Sequence, residues 1–453
     1  MSGPLRVTAA VLLTLGCAAW ALGPQRSRVV RPRLGVPAVL APGDAFELEL
    51  ERALPFGALE PRVELEREGA APLTLSTRAT ERVGRRLRFA VDVPEDLPEG
   101  AYALVVHDGE RAQRLPKAVH VREVWPDELC LVQMADLPEF FPDGSGTRAM
   151  DAMVDEVNVV APDLVLITGD VAYGGSRDRY ERLLVALERF DAPVVLVIGN
   201  HEFEGLAGYM DHLRVPRHVV DAGPLRVVSL NTSHGRDQFT SEQIDWLADA
   251  LAGVGGRTPI VQLHHPVFED RQLGARAGRF AALCRAAEVP IVLSGHWHAD
   301  RTFDSAGLDH RDGPRFDGPV FSITTAAGAM LHPDMSSGGS YHGYRVVRLA
   351  REAPGGRYRL RQYTYDLDGD GTPDPSASHP AGGLHVEHPE PGRVHVVNDW
   401  NDAVPRAHVW VDLPPGGTCT RVEGGREVAR GPRGVAVELD LAPNSSADVR
   451  LVP

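Results

Sequence analysis

Apolar residues follow two rhythms along this chain. In the segments 28–122 and 381–453 they alternate with polar ones, as in Phe46-Glu47-Leu48-Glu49-Leu50, Arg88-Phe89-Ala90-Val91-Asp92-Val93 and Val435-Ala436-Val437-Glu438-Leu439-Asp440-Leu441. Successive side chains of a strand point to opposite faces, so a period of two describes a sheet buried on one side. Turn residues such as Pro98-Glu99-Gly100 separate the runs. The pattern predicts an N-terminal β-sandwich of immunoglobulin or fibronectin type over 28–122 and a C-terminal β-domain over 381–453.

From 127 to 365 the rhythm changes. Short, mainly apolar runs appear at Leu129–Val132, Leu164–Ile167, Val194–Ile198, Ile260–Leu263 and Ile291–Leu293. These read as strands covered on both faces. Helical spacing lies between them. Arg148–Val160 carries an apolar stripe closed by Pro162, Ser176 opens a helix running to about Phe190, and Thr240-Ser241-Glu242-Gln243 has capping-box form ahead of Trp246, Leu247 and Leu251. This is α/β patterning. An acidic linker follows over 366–380. Its Asp366, Asp368, Asp370 and Asp374, with Gly371 in sixth place, begin like a calcium loop, but Ala377 stands where the bidentate glutamate belongs. Two readings stay open there: a weak Ca2+ site, or a solvated acidic linker.

Composition narrows the partners. The 453 residues are 43% hydrophobic and 24% charged, as in ordinary globular proteins, and the formal net charge is −15. Without a basic tract, a nucleic acid duplex is excluded as the expected partner. Near the start, Arg6 precedes the apolar stretch Val7–Leu15, and Ala19-Trp20-Ala21 offers a small-x-small cleavage site. Residues 1–21 are therefore expected to be a signal peptide, leaving an exported protein without a transmembrane segment. Cys17, after Leu15-Gly16, offers a point of lipid attachment. The other cysteines, Cys130, Cys284 and Cys419, are odd in number and far apart, so no disulfide framework is read from them.

The chemistry sits where the apolar runs of the α/β segment stop. They end at Ala135-Asp136-Leu137-Pro138, Gly169-Asp170-Val171-Ala172-Tyr173, Gly199-Asn200-His201-Glu202, His264-His265-Pro266 and Gly295-His296-Trp297-His298. Ligands of open α/β sheets gather at the carboxyl ends of strands, so the five segments should converge on one crevice. Within the last, alternation puts His296 and His298 on one side. Mixed aspartate, asparagine and histidine donors suit iron, zinc or manganese better than calcium. The glycines before Asp170, Asn200 and His296 suggest tight turns.

This series resembles the calcineurin-like metallophosphoesterases over some 230 residues, from about Asp127 to Tyr363. The resemblance implies a four-layer α/β/β/α sandwich around two metal ions, flanked here by the two β-domains. Asp170 would bridge the metals. Asn200, His264 and His296 would complete the second site, and Asp136 and His298 would belong to the first. The family's usual first motif is Asp-x-His, whereas this chain has Pro138 in the third place. Purple acid phosphatases also lack that histidine and carry a metal-binding tyrosinate three residues after the bridging aspartate, where Tyr173 stands. A phenol has a reference pKa of about 10, so a phenolate ligand favours a highly charged cation, here Fe3+ paired with Fe2+, Zn2+ or Mn2+. By the same resemblance a water activated between the metals attacks phosphorus, with His201 protonating the leaving oxygen. His265 and Glu202 are candidate substrate contacts, Glu202 also a candidate to orient a neighbouring histidine. The expected activity is that of a secreted, acid-phosphatase-like phosphomonoesterase. Two alternatives are a cyclic-nucleotide or glycerophosphodiester phosphodiesterase, in whose branch His264-His265-Pro266 is common, and a non-catalytic cell-envelope binding protein with a degenerate first metal site. The small phosphoester, the roles of the β-domains and the oligomeric state are not legible.

Overall fold

The computed structural model describes residues 28–51, 61–108, 111–138, 144–203, 206–233, 240–268, 274–307, 318–331, 341–351, 353–361, 377–414, 419 and 421–452. The expected signal peptide over 1–21, Cys17 and the calcium-like residues Asp366, Asp368, Asp370 and Asp374 lie outside them. Among the described residues no helix is long and apolar enough to cross a membrane.

Two sheets form the middle of the α/β domain. The first runs, in spatial order, Val194–Val197, Leu164–Thr168, Glu128–Met134, Gly343–Arg351 and Tyr358–Leu360, with its first three strands parallel. The second runs His218–Ala222, Leu225–Ser229, Thr258–Gln262, Ile291–Ser294, Val320–Ile323 and Arg301–Phe303, parallel at its centre and antiparallel at both ends.

Strand alternation shows the layering directly. Leu129, Leu131, Leu164 and Leu166 of the first sheet share one core with Val227, Ile260, Ile291 and Leu293 of the second. Their neighbours turn outward. Val132, Val165 and Ile167 pack with helices Ser145–Val160 and Arg177–Glu188 through Met150, Val154, Leu183 and Leu187. Val228, Val261 and Val292 pack with helices Ser241–Ala252 and Gly274–Ala286 through Ile244, Leu247, Phe280 and Cys284. The central strands are mainly apolar because both faces are covered. The result is the α/β/β/α sandwich with sheet-rich additions.

The N-terminal strands, from Arg28–Arg31 to Arg111–Val121, enclose their own core around Leu48, Leu65, Val91 and Leu104. The segment 33–40 then reaches across to the α/β domain. Gly35 accepts a hydrogen bond from Leu196 at the edge of the first sheet, and Val39 pairs with Ala222 at the edge of the second. One short segment thus covers an edge of each sheet, where unpaired backbone groups would otherwise stand open.

The C-terminal strands stack as Leu384–Glu390, Arg393–Asn398, Ser445–Val452 and Arg421–Glu423 against Val404–Asp412, Gly434–Leu441 and Arg426–Arg430. Their Val394, Val396, Trp400 and Val409 belong to the same apolar cluster as Met150 and Met153 of the α/β domain. Buried Glu156 reinforces the joint by accepting backbone N–H groups of Gly382 (3.0 Å) and Leu384 (2.7 Å). Burial pushes its carboxyl pKa up despite those bonds. At one corner all three parts meet: Asp163 faces Arg122 at 2.8 Å and Arg406 at 3.6 Å. The linker expected over 366–380 needs correction at its end. Residues Ala377–Pro380 form a strand antiparallel to Gly343–Val346, because that edge of the first sheet has open backbone groups to pair.

Candidate metal centre

The five strand ends converge. Ligand-type atoms of Asp136, Asp170 and His264 lie within 4.8 Å of one another, and so do those of His264, His265 and His296. Asp136 and Asp170 are fully buried. Asp136 Oδ1 stands 3.2 Å from His298 Nε2 yet meets no hydrogen-bond donor in good geometry. A buried carboxylate oxygen left in that state is costly unless a cation takes it up. Asp170 Oδ2 is 3.3 Å from His264 Nε2, which is 2.9 Å from Asn200 Oδ1. Donor atoms of mixed type, aimed at one another across such distances, fit a pair of metal ions.

The outer bonds of the histidines choose which nitrogen faces inward. His264 Nδ1 donates to the Thr168 carbonyl at 2.8 Å, and His298 Nδ1 to the Met330 carbonyl at 2.6 Å. Both expose Nε2 to the centre, as metal-binding histidines commonly do. In the metal-free protein the charges settle among themselves. Burial disfavours protonated His264, but the adjoining Asp170 carboxylate outweighs this and lifts its pKa to about 9. Burial would raise Asp170 in turn, yet His264 and the bonds it accepts hold it well below the usual carboxylate range. Burial first, and His264 next, push His296 down to about 3.

The backbone is bent to make this arrangement. Asp136, Asp170, His296 and His298 all have left-handed conformations, with φ of 52°, 53°, 73° and 52°. Non-glycine residues reach that region at a cost of roughly 1–3 kcal/mol each, and they concentrate at functional sites. The expected glycine turns fare unevenly. Gly169 does have a positive φ of 92°, whereas Gly199 serves a different need. A Cβ at Gly199 would stand 2.1 Å from Asp170 Oδ1, so space rather than a turn requires glycine there.

Two buried glutamines fasten the sheets beneath the centre. Gln133 Nε2 donates to Thr168 Oγ1 (3.0 Å) within the first sheet and to the Ser294 carbonyl (2.8 Å) of the second. Gln262 of the second donates to Ser229 Oγ (2.8 Å) and to the Val195 carbonyl (3.4 Å) of the first.

Glu202 is not a substrate contact. It is fully buried and receives the backbone N–H groups of Gly199 (2.8 Å), Asp170 (3.0 Å), Val171 (2.8 Å) and Ala172 (2.9 Å). The side chain curls inward because those four amides, at two strand ends, have no other acceptor nearby. It clamps the Asp170 turn to the Asn200 turn. Burial, then the Asp170 charge, push its pKa up to about 7.

His201 is the most open of these groups, its side chain 34% exposed, with Nε2 3.8 Å from Asp170 Oδ2. Its ring stacks on Tyr173, centroids 3.9 Å apart. Tyr173 is half-buried, with its ring laid on His201. His265 is buried, and Thr232 Oγ1 engages both its backbone N–H (3.0 Å) and Nδ1 (3.1 Å). Thr232 was not legible as a site residue. The apolar run that leads to it, Val227-Val228, is short and lies in the second strand of a hairpin, and its only signal is the polar Asn231-Thr232-Ser233 after Ser229-Leu230. Pro138, in the first-motif histidine's place, packs against Gly328, where a Cβ would lie 2.2 Å from its Cγ.

Residues 130–300, which lie in the α/β domain built around this centre, match the calcineurin-like phosphoesterase family. Among relatives, a probable cyclic nucleotide phosphodiesterase of Rhodococcus erythropolis is 31% identical over 165 residues, which cover 32% of this chain and 55% of that protein. The 3',5'-cyclic adenosine monophosphate phosphodiesterase of Pseudomonas aeruginosa is 29% identical over 240 residues, 48% of this chain and 85% of the relative. The chain spans little more than half the length of several of the relatives it matches. Among solved structures, a purple acid phosphatase from yellow lupin aligns at 14% identity and a TM-score of 0.46, covering 83% of this chain and 72% of that one.

Proposed function

We propose that the chain is a two-metal phosphoester hydrolase whose substrates are phosphodiesters, exported if residues 1–21 act as a signal. The observation that carries this reading is the convergence of Asp136, Asp170, Asn200, His264, His296 and His298 from separate strand ends, with Asp136 Oδ1 buried and unspent. Asp136, Asp170 and His298 would hold the first metal, with Tyr173 the candidate further donor in place of the absent histidine. Asp170, Asn200, His264 and His296 would hold the second. When bound, the metals supply Lewis-acid polarisation of the phosphate and activation of water. His201 would hold a proton at Nε2 and pass it to the leaving oxygen, a role that its stacking on Tyr173 supports by orienting the ring. With Nδ1 engaged by Thr232, His265 keeps Nε2 for a phosphate oxygen or the second metal.

The diester preference is favoured by relatives that are named as phosphodiesterases and by His265 following the ligand His264. A second reading, an iron-containing acid phosphatase, is favoured by Tyr173 and Pro138. Rates on bis(4-nitrophenyl) phosphate and 4-nitrophenyl phosphate distinguish them. Diester turnover at least about tenfold above monoester turnover is expected, in the range of typical active-site discrimination. The reverse order, with a visible absorption band from iron bound to Tyr173, replaces the first reading by the second. No hydrolysis by protein carrying both metals overturns both and leaves a binding protein.

A further inference from the structure

A cleft of about 840 Å³ opens beside the first half of the metal centre, between the α/β domain and the C-terminal domain. Hydrogen bonds tie its wall to the centre. Its wall residues Gly328 and Ala329 donate to the Asp136 carbonyl at 3.1 and 3.0 Å, and wall residue Met330 holds His298. Pro138 lines it as well, where the usual histidine would have presented an imidazole.

The lining decides what the cleft can hold. Ala149, Ala152, Met153, Ala329, Met330 and Leu384 supply apolar surface, and Met330 at the rim is 77% exposed. The polar side chains in the wall are occupied by the protein itself. Glu156 accepts the Gly382 and Leu384 amides, Tyr341 Oη donates to the Ser378 carbonyl (2.8 Å), and His342 Nε2 donates to the Ala329 carbonyl (2.9 Å). His385 Nε2 faces Asp399 at 3.2 Å. An alkyl or aryl group placed here needs none of these already engaged polar groups, whereas a sugar or nucleoside would have to compete for them. The volume suits a ligand of drug-like size.

We propose that this cleft is the subsite for an apolar ester arm, and that the C-terminal domain supplies one of its walls, through Leu384, as a specificity element. This deepens the phosphodiesterase reading and rests on it. The reaction is unchanged: water adds to phosphorus, a P–O bond to one alcohol breaks, and that alcohol leaves with a proton.

The test uses the full chain with its metals and a series of alkyl 4-nitrophenyl phosphates carrying methyl, butyl or octyl arms. A methylene fully removed from water is worth roughly fourfold in affinity, so even partial burial should raise kcat/KM by at least about tenfold from methyl to octyl. Ala152→Trp, which fills the cleft from an exposed helix face, should flatten the series to within about twofold. Binding of octyl phosphate and methyl phosphate is measured in parallel by calorimetry, with the octyl compound expected to bind more tightly to the native protein and not to Ala152→Trp. A flat series alongside active methyl-ester hydrolysis overturns the subsite and leaves the phosphodiesterase reading intact. If no ester is hydrolysed the enzyme reading fails. The calorimetry then still decides, equal binding of the two phosphates overturning the cleft.

Discussion

At the scale of single residues, adjacent His201 and Glu202 have opposite tasks. His201 is partly open and stacked on Tyr173, while Glu202 is fully buried with four backbone donors on its two oxygens. Charge-assisted bonds of this kind contribute more than neutral ones, about 1.5–3 kcal/mol each. Their substitutions should therefore separate. His201→Ala should keep its metals and lose at least about tenfold in turnover. Glu202→Gln, which can accept through only one oxygen, should lose about 10–100-fold in metal affinity. Metal titration beside steady-state kinetics checks both, and equal metal affinity in the two variants would refute the clamp. The sequence shows a glutamate one residue after a histidine in a short turn, which reads as solvated or as an orienting group. Its inward rotamer follows from amides that only the folded turns bring together.

At the scale of elements, the strands were legible because each central one is apolar on both faces, and their ends because a ligand-type residue stops each run. Asp136, Asp170, His264, His296 and His298 stand out for that reason. Other features depend on contacts across the two sheets. The left-handed backbone at Asp136, Asp170, His296 and His298 leaves no mark, since none of them is glycine. The crosswise bonds of Gln133 and Gln262, and the strand Ala377–Pro380, arise from pairings across distant segments. Gly199 shows the difference between a turn and a close approach. Its Ala variant would drive a methyl group into Asp170 Oδ1, so the turn must shift, at about 1–3 kcal/mol for overpacking. Thermal melting should show that loss together with weakened metal binding. Ala tolerated on both counts would show that the Asp170 turn is not held as described.

At the scale of the whole molecule, the three parts are joined by the sheet-edge segment 33–40, by the corner at Asp163 and by the shared core around Trp400. Two buried histidines near these joints carry a pH dependence. Burial lowers both His120 and His218 to a pKa of about 4. A folded pKa below the unfolded value near 6.5 means that the unfolded chain takes up protons first as pH falls. Their contribution is thus present above about pH 6.5 and lost as pH falls through about 4, amounting to up to about 3 kcal/mol each. Melting temperatures across that window should fall, and His120→Gln should make the fall shallower; an unchanged slope would remove His120 from the account. The central claim is that five strand ends hold a pair of metals even though Pro138 replaces a ligand. Metal content per chain after reconstitution tests it most directly. The native chain should carry close to two ions, and Asp170→Asn should show a clear loss of metal. A native chain that takes up no metal, or an Asp170→Asn protein that retains both ions, would contradict it.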